Sequence, residues 1–196
     1  MNRHRQLTNW LVGAAFCIAG FAGPIKAASV DIDIHVSINA SKDITAPTSY
    51  YYFGAININQ SSNSVSALQI HNNSSGITET YTIKGGTATS DDAGTDWNLV
   101  ASSTAISGTE TYALAVQFSD NANRVANDDE DLWQSDYLRI DQYITCTSTV
   151  FGDGNAARSG ANVPPGADRY MYIRIHTPAA TIDGGAHTAS IRLSVL

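Results

Sequence analysis

Residues 30–38 alternate apolar and polar side chains without a break for nine positions. Val30, Ile32, Ile34, Val36 and Ile38 are all β-branched, and Asp31, Asp33, His35 and Ser37 stand between them. A period of two places the two sets on opposite faces, so the segment reads as a strand with one dry and one wet face. The pattern returns at residues 111–118, with Tyr112, Leu114, Val116 and Phe118 on one face and Ala113, Ala115 and Gln117 on the other. Here the second face is also unpolar enough to be covered, as in the middle of a sheet. Residues 169–176 set Met171, Ile173 and Ile175 against Tyr170, Tyr172 and Arg174, and a closing strand carries Ala189, Ile191, Leu193 and Val195 inward.

Weaker runs fill the rest. The spacing predicts a short strand in the aromatic stretch 50–56, a polar turn at 59–64, and strands at 65–71 and 78–84 that form a hairpin across the Asn72, Asn73, Ser74, Ser75, Gly76 turn cluster. Residues 85–94 read as a loop. A further strand starts at 97–100, residues 137–150 read as one bent strand, and 151–160 as a glycine-rich loop. Val163, Pro164, Pro165 and Gly166 form a rigid turn. A short helix is expected near 128–135, where carboxylates favour a helix N-terminus. Almost no window carries a 3.6-residue period. The expected fold is therefore all-β: a single β-sandwich, jelly-roll or immunoglobulin-like, of about eight to ten strands.

Composition agrees with this and adds a destination. Arg3, His4 and Arg5, an apolar run over 11–21, and Pro24 before Ile25, Lys26 and Ala27 have the form of a secretory signal peptide, residues 1–27. The run falls short of the about 20 residues of a comfortable membrane span, and Cys17 lies inside it rather than at its end, unlike a lipidated Cys. The expected mature chain, 28–196, is one β-sandwich domain with its N-terminal strand at 30–38 and no membrane span. Its localisation is secreted, extracellular or cell-surface. Taking away Arg3, Arg5 and Lys26 leaves 8 basic residues against 18 acidic, a net charge of −10. Such a surface repels nucleic acid and anionic membrane.

No residue pattern points to catalysis, and the chain is expected not to be an enzyme. His35, His71, His176 and His187 form no His-x-x-x-His or His-Glu pair. No Gly-x-Ser-x-Gly elbow and no phosphate loop occur. Asn127, Asp129 and Asp131 alternate and offer oxygens to calcium, but Leu132 and Leu138 stand where an EF-hand loop has its Gly and distal Glu. No cofactor is expected, and calcium is the one metal these three residues would suit. Cys146, the only Cys of the mature chain, sits in a strand-like run and reads as a small buried hydrophobe, with a reactive thiol or an intermolecular bridge as the alternative. Trp133, beside the acidic run, is the aromatic best placed to contact a glycan or cell-surface partner.

Residues 68–83, with the Asn72–Gly76 turn followed by Thr78, Glu79, Thr80, Tyr81 and Thr82, are similar to a strand, turn and strand of secreted immunoglobulin-like sandwiches. The turn at 163–166, the strand at 169–174 and the closing strand resemble the end of such domains. The layout of a signal peptide followed at once by a strand and a β-domain resembles bacterial fibre subunits of the TasA and camelysin type. The metal-binding His pattern of a camelysin-like protease is absent, so that activity is not implied. What the resemblance implies is an extracellular subunit that homo-polymerises by strand donation. The 30–38 strand is then the donor, and the polar tract 39–48 its hinge. A carbohydrate- or surface-binding module is the alternative.

Overall fold

A computed structural model of the chain describes residues 42–91, 94–102, 108–123, 136–182 and 185–196. The chain divides into two units, Met1–Ile38 and Asn39–Leu196, and every described residue belongs to the second. Among the described residues all regular structure is β. The strands are β1 (Ile44–Thr45), β2 (Ser61–Asn63), β3 (Leu68–Asn72), β4 (Tyr81–Ser90), β5 (Asn98–Leu99), β6 (Thr111–Ser119), β7 (Ile144–Thr145), β8 (Asp168–His176) and β9 (His187–Val195).

They form two sheets. The larger runs β1-β3-β8-β6-β5, with β2 also on β8; the smaller runs β7-β4-β9. All pairings are antiparallel except that of β5 with β6. One apolar cluster joins the two sheets. Ile70, Tyr112, Leu114, Val116, Phe118, Met171 and Ile173 enter it from the larger sheet, and Tyr81, Ile83 and Ala88 from the smaller. Burying each large side chain contributes about 1.5–3 kcal/mol before the cost of ordering it.

β6 and β8 carry the larger sheet, and their alternation is as the sequence indicates. β6 is buried on both faces. Its large residues fill the shared core, while Ala113 and Ala115 form the floor of a second cluster roofed by Tyr137 and Tyr172. Small residues suit that floor because the aromatic rings lie across it. On β8, Met171, Ile173 and Ile175 face the shared core and Tyr170 and Tyr172 the second cluster.

Other expectations give way. β3 and β4 are not a hairpin: β3 pairs with β1 and β8, and β4 with β7 and β9. Ile70 and Tyr81 reach one core from opposite sides, which a flat hairpin does not permit. The crossing is tied by Asn72, fully buried, whose Nδ2 donates to the carbonyls of Ile77 (3.0 Å) and Val163 (2.9 Å) and whose Oδ1 accepts from Ser74 N (3.0 Å). Residues 85–90 belong to β4 rather than a loop. The ladder slips between Gly85 and Ala88, and position 85 is held to glycine because a Cβ there would press on Leu99 and Leu138.

Residues 137–150 are not one strand. Leu138 N donates to Leu114 O in the larger sheet, and Gly85 N donates to Arg139 O across in the smaller. The chain therefore steps between sheets, with Leu138 fully buried at the step. The expected turn at 59–64 contains β2, held along β8. The expected strand at 50–56 has no ladder partner among the described residues; Tyr51 and Phe53 pack edge to face, 4.7 Å apart, against the core. The helix expected at 128–135 lies outside the described residues.

Asn72→Ala takes the Asn72 partner from Ile77 O and Ser74 N and one of two donors from Val163 O, which keeps Glu79 N, and is expected to lower unfolding stability in urea by about 2 kcal/mol or more. Val65→Ser, at a side chain 95 % exposed, should change it by less than about 0.5 kcal/mol. Equal midpoints for the two variants would contradict the role given to Asn72.

Candidate functional site

The strands that end the two sheets are unequal. β1, β5 and β7 are two residues each, whereas β9 has nine. Short terminal strands are a usual protection against edge-to-edge pairing. β9 has β4 along one side, and no strand pairs along its other side among the described residues. Leu196 N donates to Thr80 O, and Asp91 N donates to Ala186 O. The even-numbered residues of β9 thus point their backbone groups at β4. Antiparallel alternation then turns the N–H and C=O of Ala189, Ile191, Leu193 and Val195 outward along the open edge.

The side chains of these same four residues face the core, yet each is only partly buried. Tyr81 and Ile83, beside them on β4, are fully buried. The dry face is complete at β4 and incomplete at β9. On the solvent face, Arg192 stands directly opposite Lys84. Lys84 Nζ rests 4.7 Å from the Tyr143 ring centre, and no ion pair joins Arg192 to a carboxylate among the described residues. Two like charges opposite each other in an antiparallel pair disfavour it slightly. The remaining solvent-facing residues, Thr188, Ser190 and Ser194, include neither charge nor proline.

Three polar groupings lie elsewhere. Ser61 Oγ is 2.5 Å from His176 Nδ1, and His176 Nε2 is 3.3 Å from the Tyr137 hydroxyl. This brings a hydroxyl to an imidazole, but the second nitrogen faces a phenol where a nucleophile-activating triad has a carboxylate. Glu110, buried and at φ 59°, accepts from Thr181 Oγ1 and Ile182 N and anchors the connection after β8. His71 and Asp168 meet at 2.8 Å between β3 and β8. Among the described residues no three His, Cys, Asp or Glu side chains gather where a metal ion would sit, and no helix is long and apolar enough to cross a membrane. Cys146 is buried and free; burial, then Asp136, pushes its thiol up to about 12. It stays protonated at neutral pH and behaves as a small hydrophobe.

The residues singled out from sequence, namely Val30, Ile32, Ile34, Val36 and Ile38, Trp133, and Asn127, Asp129 and Asp131, lie outside the described residues. The β9 edge was not singled out. The available signal was its wet face: one charge in nine residues and no proline is scant protection for a terminal strand. Comparison with models of known families, with curated proteins and with solved structures yields no match.

Acid exposes two of these groupings in separate windows. Burial, and then Arg174, holds His176 below its usual 6.5. As pH falls through 6.5 the unfolded chain takes the proton first, so His176 leaves stability intact above that pH and subtracts from it below. The hydrogen bond from His71, then that from Gln69, holds Asp168 below its usual 3.8. Its contribution is present above 3.8 and is lost as pH falls below it. Urea melts at pH 7.5, 6.5 and 5.5 should show His176→Gln losing less stability than the parent protein between the last two. Parallel pH profiles would contradict the assignment.

Proposed function

We propose that the chain is a structural subunit of an extracellular filament, pilus or surface layer, a single β-sandwich of immunoglobulin-like or jelly-roll type. It is secreted after removal of residues 1–27 and homo-polymerises by donating its 30–38 strand. The observation that carries this reading is the nine-residue β9, which no strand flanks on its outer side among the described residues and whose core-facing side chains are only partly buried. A strand added to a sheet edge gains affinity from main-chain hydrogen bonds and register from alternate side chains. Residues 30–38 supply both, with five β-branched side chains on one face. In this reading the protein has no catalytic role and needs no cofactor.

A second reading, a carbohydrate- or surface-binding module, draws support from Tyr50 and Tyr52. They are 77 % and 84 % exposed and two residues apart in the chain. Exposed aromatic faces suit stacking on sugar rings. Glycan-array binding that disappears in Tyr52→Ala or Trp133→Ala, with assembly unaffected, would favour this module over the subunit.

Negative-stain microscopy of the purified mature chain is expected to show filaments or sheets. Protein lacking residues 29–39 should remain dispersed, and normal assembly by that variant would overturn the reading.

A further inference from the structure

We infer that residues 30–38 of a second copy of this chain pair antiparallel with β9, placing Asp33 opposite Arg192. The inference rests on the strand-donation reading and specifies its acceptor, its direction and its register.

The acceptor follows from the edges. β9 is the one long terminal strand among the described residues, and its outward backbone groups belong to Ala189, Ile191, Leu193 and Val195. The parity follows from the faces. An added strand must place its dry side chains level with those four residues to complete the core, and a slip of one position would turn every apolar side chain to water. Val30, Ile32, Ile34, Val36 and Ile38 must therefore stand opposite odd-numbered residues of β9.

The lengths match at nine residues each, so two full overlaps are available. The antiparallel one sets Val30 against Val195, Ile32 against Leu193, Ile34 against Ile191 and Val36 against Ala189. On the wet face it sets Asp33 against Arg192 and Asp31 against Ser194. The parallel one sets His35 against Arg192 and moves Asp31 and Asp33 to Thr188 and Ser190. Charge decides between them. Arg192 already faces Lys84 across the ladder, and of the two overlaps only the antiparallel one sets a carboxylate directly opposite Arg192. It also makes 33/192 and 31/194 non-hydrogen-bonded pairs, in which Cα atoms approach to about 4.5 Å and side chains meet most closely. That distance lies within the range a disulfide spans.

The test uses the full mature chain. Asp31→Cys with Ser194→Cys, both on the wet face, is expected to give under mild oxidation a ladder of reducible oligomers on denaturing gels. Arg192→Glu should raise the concentration needed for assembly roughly three- to ten-fold, and Asp33→Arg in the same chain should restore it. Circular dichroism checks that each variant keeps its β fold. An oxidised product that is internally linked and monomeric would overturn the inference, because the strand then pairs with its own chain. Assembly that persists without any 31–194 cross-link, and without sensitivity to Arg192→Glu, would also overturn it while leaving strand donation standing at another edge. Absence of assembly in the unmutated chain would remove strand donation itself.

Discussion

A strand at the end of a sheet has half of its backbone hydrogen-bonding groups directed at nothing, and a fold must pair them, shorten the strand or leave them open. This requirement orders the molecule. Along the outer side of β6, three separate segments take turns as partner: β5 and Val100 first, Leu138 in the middle, and Phe151 at the far end. Along one side of β4 the same is done by Trp97, Arg139, β7, Cys146 and Gly160. These patches explain why so much of the chain is irregular although the core is built on long strands. β9 alone keeps a long side without such a partner among the described residues.

The core is arranged to tolerate crossings between sheets. Leu138 is fully buried where the chain steps from β6 to β4, and Gly85 makes room for it and for Leu99. Asn72 performs the corresponding task at the β3 to β4 crossing, donating to the carbonyls of Ile77 and Val163 and accepting from Ser74 N. At Pro164 to Ala167 the chain closes a turn with Gly166 at φ 72°, and Gly166 N donates back to Asn72 O. The residue that ties one crossing therefore also seats the turn that starts β8.

Where alternation was long and clean, the sequence was a sound guide: β6, β8 and the inward set of β9 lie where the period of two puts them, and the two covered faces of β6 were visible in Ala113 and Ala115. It misled where partners are distant. Nothing local distinguishes a hairpin at 68–84 from a crossing, because the difference lies in Val163, about eighty residues away in the chain. The short strand β2 looks like a turn because its residues Ser61, Ser62 and Asn63 are strand only by virtue of β8. Gly85 and Gly86 look like a loop because glycine is used here for close packing rather than bending. The edge of β9 depends on which described strands lie beside it, and a run of residues does not display that. Residues 30–38, read as a strand from their alternation alone, lie outside the described residues.

The account thus turns on one set of amides, those of Ile191, Leu193 and Val195, which point away from β4. Hydrogen exchange of these amides, measured on dilute dispersed protein and on the concentrated assembled protein, tests it most directly. Fast exchange is expected in the dispersed state and strong protection after assembly, with the Arg192 and Ser194 amides, bonded toward β4, protected in both. Equal protection of all five amides in the dispersed protein would contradict it, since β9 would then already have a partner on its outer side.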